Sequence, residues 1–137
     1  MSITNYLEKV NQHYKSGHAT EHTYRGDLAE LIKTIVSDVL VTNEPKRQSC
    51  GAPDYILTIK DIPIGFIEAK DIGDKDLEGD VKSGNKEQFD RYKASLNNLI
   101  FTDYINFHLY REGELITKIA IAETTHKGIE PLPFVLF

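Results

Sequence analysis

Apolar positions recur at helical spacing through Tyr24, Leu28, Leu31, Ile32, Ile35, Val36 and Val39, which is one stripe of an amphipathic helix. Thr20 is a residue type that caps helix N-termini. The pattern therefore predicts a helix from Glu21 to Leu40. Residues 1–19 are polar with scattered aromatics and predict a short helix and a loop ending near Gly17. After the long helix the period changes. Val41 to Lys46 predicts a short edge strand, and Gln48-Ser49-Cys50-Gly51-Ala52 a loop. Two apolar runs follow, Tyr55–Ile59 and Ile64–Ile67, joined by Lys60-Asp61-Ile62-Pro63-Ile64, which fits a hairpin with a three-residue connection. Asp71 to Asn85 predicts a loop, with Gly73, Gly79 and Gly84 among several charges. Lys86–Asn97 predicts a second helix and Leu99–Asp103 a core strand. Asn106–Arg111 and Glu114–Ala122 predict a hairpin across Glu112-Gly113. The stretch from Thr124 to Phe137 contains prolines and ends on Leu132-Pro133-Phe134-Val135-Leu136-Phe137. It reads as a tail that docks on this domain or leads into more chain. Alternating helices and strands define an α/β class.

Composition bounds this picture without sharpening it. A chain of 137 residues is one domain with room for a core. No apolar run approaches membrane-spanning length and no signal peptide is visible, so a cytoplasmic location is expected. The single Cys50 excludes a disulfide within the chain and hints at a reducing compartment. The net charge of −5 works against a DNA-binding role, because non-specific DNA affinity comes mostly from phosphate neutralisation. Either the basic residues are gathered on one face or something else brings the DNA.

The chemistry lies on the first hairpin. Asp54 opens the first apolar run and Glu68-Ala69-Lys70 closes the second. If Lys60 faces Ile64, Asp54 faces Lys70 and lies diagonal to Glu68. Asp54, Glu68 and Lys70 then share one face, and Tyr55, Leu57, Ile59, Gly65, Ile67 and Ala69 make the wholly apolar other face. A slip of one residue would put Asp54 on the wrong side. Carboxylate oxygens are what a hard cation such as Mg²⁺ prefers, and a lysine beside them can hold a water or a phosphate oxygen. That set suits metal-assisted phosphodiester cleavage. His13, His18, His22, His108 and His126 show no paired ligand spacing, which argues against zinc. The acids Asp71, Asp74, Asp76, Glu78 and Asp80 do not meet EF-hand spacing.

The order helix, strand, hairpin, helix, strand, with Pro53-Asp54 and Glu68-Ala69-Lys70 on the hairpin, resembles the PD-(D/E)xK nuclease superfamily. Gln88-Phe89-Asp90-Arg91-Tyr92 fits the Gln-x-x-x-Tyr motif of RecB-like nucleases. Together with Glu21 to Arg25, Asn43-Glu44-Pro45 and Gly51-Ala52-Pro53-Asp54, the chain is similar to the N-terminal nuclease domain of single-chain (type I-like or type IIG) restriction-modification enzymes. The resemblance implies a restriction-endonuclease-like fold, a central mixed sheet flanked by helices, over residues 20–123. Residues 1–19 are then a lead segment and residues 124–137 a tail or linker. It implies Mg²⁺-dependent cleavage of double-stranded DNA, with Mn²⁺ as a substitute. Asp54 and Glu68 match the metal-binding carboxylates, the Ala69 carbonyl an additional ligand, and Lys70 the catalytic lysine. Gln88 matches the glutamine that orients the site and Tyr92 its partner one turn on.

The family often adds an acid from the first helix. At about 100° per residue Glu21 falls on the apolar stripe and Glu30 points to solvent, so Glu21 is preferred. A first-turn acid also stabilises the helix dipole. Lys70 would position or help deprotonate the attacking water, or stabilise charge. No element for base-specific readout is evident. In the resembling group, methylation, target recognition and any helicase action belong to other domains of the polypeptide. The alternatives are a stand-alone repair or phage-defence nuclease and an inert nuclease-fold module.

Overall fold

The computed structural model describes residues 1–19, 21–43, 53–73, 77 and 84–133, with 21, 22, 84–86, 88 and 89 described by their backbone alone. Two helices come first, α1 (Ile3–Ser16) and α2 (Glu21–Ile35). Ser2 caps α1, its hydroxyl accepting from the Asn5 N–H at 3.1 Å, and Gly17 ends it in the left-handed conformation, φ 73°, that glycine adopts most readily. Six strands then form one mixed sheet in sequential order: β1 (Leu40–Asn43), β2 (Tyr55–Ile59), β3 (Ile62–Ala69), β4 (Leu99–Thr102), β5 (Asn106–Arg111) and β6 (Glu114–Ala120). All neighbours are antiparallel except β3 and β4. A parallel pair needs a crossover, and α3 (Gly84–Ser95) lies within it. The mixed sheet flanked by helices is a restriction-endonuclease-like architecture.

Strand alternation sorts the core into two layers. Tyr55, Ile67 and Ala69 pack against Tyr6, Leu7 and Val10 of α1 and Tyr24, Leu28 and Leu31 of α2. On the opposite face, Phe66, Leu99, Phe101 and Tyr110 pack against Tyr92 and Leu96 of α3 and against Leu77.

Several elements differ from the sequence expectation. The helix ends at Ile35, five residues before the expected Leu40. Ser37 and Asp38 favour turns over helix, and Leu40 and Val41 instead pair with Thr58 and Leu57. Ile35 and Val36, expected on the buried stripe, are accordingly exposed. The expected edge strand begins at Leu40, and its last three residues lie outside the described part. The expected tail holds a second small sheet, β7 (Ala122–Thr125) with β8 (Gly128–Pro131). This hairpin docks on α1, where the Ile129 N–H donates to Asn11 Oδ1 at 2.9 Å. Gly128 (φ 115°) sits so close that a Cβ there would strike the same Asn11 oxygen. The first core cluster joins Tyr6, Leu7 and Val10 with Ala122 and Ile129, so one packed core spans the expected boundaries at residues 19 and 123.

The first hairpin also turns differently. Lys60 and Asp61 both have positive φ (50° and 67°) between the paired Ile59 and Ile62, a two-residue turn of the primed type rather than a three-residue connection. The register then shifts between Leu57 and Thr58: Thr58 faces Pro63 but Leu57 faces Gly65, leaving Ile64 as an extra residue on β3. The bulge matters because side chains alternate strictly. Without it Tyr55 would face Phe66 and Asp54 would face Ile67. With it Tyr55 faces Ile67, and continuing by one residue puts Asp54 opposite Glu68.

Candidate active site

Asp54, Glu68 and Lys70 meet at the C-terminal end of β3. The Asp54 N–H donates to Glu68 Oε1 at 3.2 Å. The Asp54 carboxylate reaches across the ladder, its Oδ2 accepting from the Ala69 N–H at 2.7 Å. Lys70 Nζ stands 3.4 Å from Glu68 Oε2, and the Lys70 N–H donates to the Thr102 carbonyl at 2.8 Å. That bond carries the parallel ladder one residue past Ala69 and fixes the lysine at the rim of the sheet.

Glu68 is 4% exposed. Burial, and then the neighbouring Asp54 carboxylate, raise its pKa well above the usual carboxylate range, while Lys70 lowers it. A buried ionised carboxylate is costly unless paired, so this pocket favours a cation beside Glu68.

Arg25, near the start of α2, completes the cluster. Its Nη2 donates to Asp54 Oδ1 at 2.8 Å, with both side chains largely buried. The next strand residue holds the same arginine from behind, as the Tyr55 hydroxyl donates to the Arg25 carbonyl at 2.9 Å. Sequence reading assigned Arg25 no role. The available signal was its position three residues before Leu28, beside the buried stripe, where a charge requires a partner.

The other expected residues are placed as follows. Tyr92 is buried in the layer under α3, the layer on the sheet face that carries Glu68. Gln88 lies one turn earlier on α3 and Glu21 is the first residue of α2; their side chains are outside the described part. Glu30 pairs at 3.3 Å with Lys9 of α1, both half-exposed. Among the described residues no three His, Cys, Asp or Glu side chains converge on one point. The carboxylate donors brought together are the two of Asp54 and Glu68.

No protein family matches the chain and no curated protein is similar to it. Among solved structures, a chain of the DrdV–DNA complex determined by cryo-electron microscopy is similar, with a TM-score of 0.61, 20% identity and 85% of each chain covered. At that identity the likeness is one of fold. No helix among the described residues is long and apolar enough to cross a membrane.

Proposed function

We propose that the chain is a Mg²⁺-dependent DNA endonuclease module of a restriction-modification enzyme that hydrolyses phosphodiester bonds without its own sequence readout. One observation carries the reading. Two carboxyl groups and a lysine gather at one end of the sheet, Asp54 just before β2, Glu68 on β3 and Lys70 just after it, a set of groups that suits metal-assisted phosphodiester hydrolysis. The fold likeness to a chain from a DNA complex supports it, as does the sequence resemblance to PD-(D/E)xK nucleases.

The donor set fits a hard divalent cation. Mg²⁺ takes oxygen ligands, keeps several waters and needs only one or two protein carboxylates. Asp54 and Glu68 would hold it, with the Ala69 carbonyl and Glu21 as further oxygen donors. Bound there, the ion would lower the pKa of a water and offset charge developing on the phosphate. Lys70, held 3.4 Å from Glu68, orients the attacking water or stabilises the developing charge. Glu68 keeps that ammonium in place. Gln88 would fix the water or Lys70 from α3, and Tyr92 would pack behind.

The net charge of −5 leaves little affinity for DNA phosphates. Delivery would come from tethering to further domains of the same polypeptide, such as a methyltransferase, a target-recognition domain or a helicase, since a short flexible linker gives an effective concentration of about millimolar.

The test is nicking of supercoiled plasmid with Mg²⁺ or Mn²⁺, using the chain fused to a sequence-specific DNA-binding domain. Asp54→Ala and Lys70→Ala should each lower the rate at least about 100-fold with an unchanged circular dichroism spectrum. Wild-type rates in either variant would refute the assignment.

A further inference from the structure

The guanidinium of Arg25 lies where a divalent cation would compete with it. Both Asp54 oxygens are engaged, Oδ1 by Arg25 Nη2 at 2.8 Å and Oδ2 by the Ala69 N–H at 2.7 Å. Both Glu68 oxygens are engaged too, by the Asp54 N–H and by Lys70. Among the described residues, Arg25 stands on the Asp54 carboxyl group and Lys70 on that of Glu68. The Ala69 and Asp54 N–H donors are neutral and repel a metal ion little. Lys70 stands 3.4 Å from Glu68 Oε2. Arg25 places a full positive charge directly on Asp54, and it keeps that charge at any ordinary pH. The Arg25 side chain is 11% exposed, so water screens its charge weakly.

We propose that Arg25 is a built-in counter-cation for Asp54 that competes with the divalent metal ion and sets its affinity low. It is a positioning residue: it holds the carboxylate in place until the metal enters, and yields Oδ1 when it does. The proposal rests on the metal-site reading above. The backbone at this position is fixed independently of the side chain, because the Tyr55 hydroxyl holds the Arg25 carbonyl. Substitutions therefore report on the guanidinium rather than on the seating of α2.

The experiment is calorimetric titration of the whole chain with Mn²⁺ alone, paired with thermal melts in EDTA and in saturating Mn²⁺. Arg25→Gln, which keeps an amide donor but no charge, should bind Mn²⁺ about tenfold more tightly than wild type. It should melt lower than wild type in EDTA and recover in Mn²⁺. Arg25→Lys, which keeps the charge in a more mobile form, should stay within about threefold of wild type. A purely structural arginine would give weaker or unchanged Mn²⁺ binding in Arg25→Gln, and that result overturns the proposal while the metal site stands. If neither wild type nor Arg25→Gln binds Mn²⁺, the metal-site reading fails and takes the proposal with it. Should Arg25→Gln not fold, Arg25→Lys decides. Binding weakened more than threefold would mean that Arg25 supports the metal rather than opposing it.

Discussion

The β2–β3 and β5–β6 hairpins are built on one plan and put to different ends. Each turns on two residues of positive φ, Lys60-Asp61 in one and Glu112-Gly113 in the other. Each makes two ladder pairs, then carries one extra residue on the returning strand, Ile64 or Ile116. The surroundings differ. β3 lies between β2 and β4, whereas β6 is the edge of the sheet. The polar groups of an interior bulge must be met from within the protein, and Asn98 meets them. Its side-chain amide donates to the Ile64 carbonyl at 3.0 Å and its own carbonyl accepts from the Phe66 N–H at 3.0 Å. Gly65 leaves room for that approach, since a Cβ there would come 3.2 Å from the Asn98 oxygen. Asn98 Oδ1 also accepts from Arg111 Nε, linking the two hairpins at their turns. Both bulge side chains are exposed, Ile64 at 37% and Ile116 at 50%, so the contrast lies in the backbone groups that Asn98 meets. The same backbone device sets the face of a buried carboxylate in one hairpin and shapes an exposed edge in the other.

Deleting each bulge residue should break the comparison most sharply. Deletion of Ile64 returns Asp54 to the register opposite Ile67 and separates it from Glu68. Cleavage should fall at least about 100-fold, because misplacement by about 1 Å already costs that much. Deletion of Ile116 alters an edge strand exposed along most of its length and should leave cleavage within a few fold. Plasmid nicking, with circular dichroism as the check on folding, separates the two. Equal losses would mean that the β3 bulge is not what aligns the site.

Much of this alignment was legible in the sequence, for a reason that also hid its mechanism. Placing Asp54, Glu68 and Lys70 on one face required only parity. A three-residue connection with no bulge, and a two-residue turn with one, give registers two residues apart. Parity is the same in both, although Asp54 comes opposite Glu68 rather than Lys70. The primed turn was hidden because Lys60-Asp61 lacks the Asn-Gly or Asp-Gly signature. Glu112-Gly113 carries its glycine and was readable. The β7–β8 hairpin was hidden because Ala122–Pro131 lacks clean alternation, and its order comes from docking on α1. Arg25 was missed because its partner Asp54 lies 29 residues away, a distance that no local period reports.

The positions four residues beyond the bulges sharpen the contrast electrostatically. There β3 carries the buried Glu68 and β6 carries Ala120, so at this position the first hairpin has a group that makes stability depend on pH and the second has none. The Glu68 pKa is pushed up from 4.5 to about 8 by burial and by Asp54. An acid whose folded-state pKa is raised adds stability in full below about pH 4.5, and that stability is lost as pH rises through about 8. In EDTA, the unfolding free energy should therefore fall over this window, by at most about 1.4 kcal/mol per pH unit for one proton. Glu68→Gln should flatten the slope. A slope unchanged in that variant would place the titration elsewhere.

Asn98 tests the interior support of the bulge. Its φ of 49° is left-handed, which costs a residue with a Cβ about 1 kcal/mol and which asparagine tolerates better than most. Asn98→Ala loses the Ile64 and Arg111 bonds and keeps the unfavourable conformation, so it should destabilise by about 2 kcal/mol. Asn98→Gly loses the same bonds but relaxes the backbone, and should cost about half as much. Urea unfolding measures both. If the two variants were equally unstable, the backbone conformation would contribute nothing and the hydrogen bonds would account for the whole effect.

The smallest effects belong to the turns, where the second position holds a different residue in each hairpin. Asp61 (φ 67°) and Gly113 (φ 80°) occupy the same second turn position. Space is not limiting at Gly113, because a Cβ there would lie 3.5 Å from the Lys93 carbonyl oxygen, an ordinary contact. Only conformation should matter. Aspartate visits this region more readily than most residues, but glycine does so without steric cost. Asp61→Gly should therefore stabilise slightly, by no more than about 0.5 kcal/mol, since the more flexible unfolded chain offsets part of the gain. Gly113→Asp should cost a similar amount, and Gly113→Ala about 1 kcal/mol. Combining Asp61→Gly with Gly113→Asp should then return the unfolding free energy close to wild type, because the positions are far enough apart in sequence and contact to add. If Asp61→Gly instead destabilises the protein, the Asp61 side chain contributes to its turn beyond tolerating the conformation. The two hairpins would then share a backbone plan but not the chemistry that closes it.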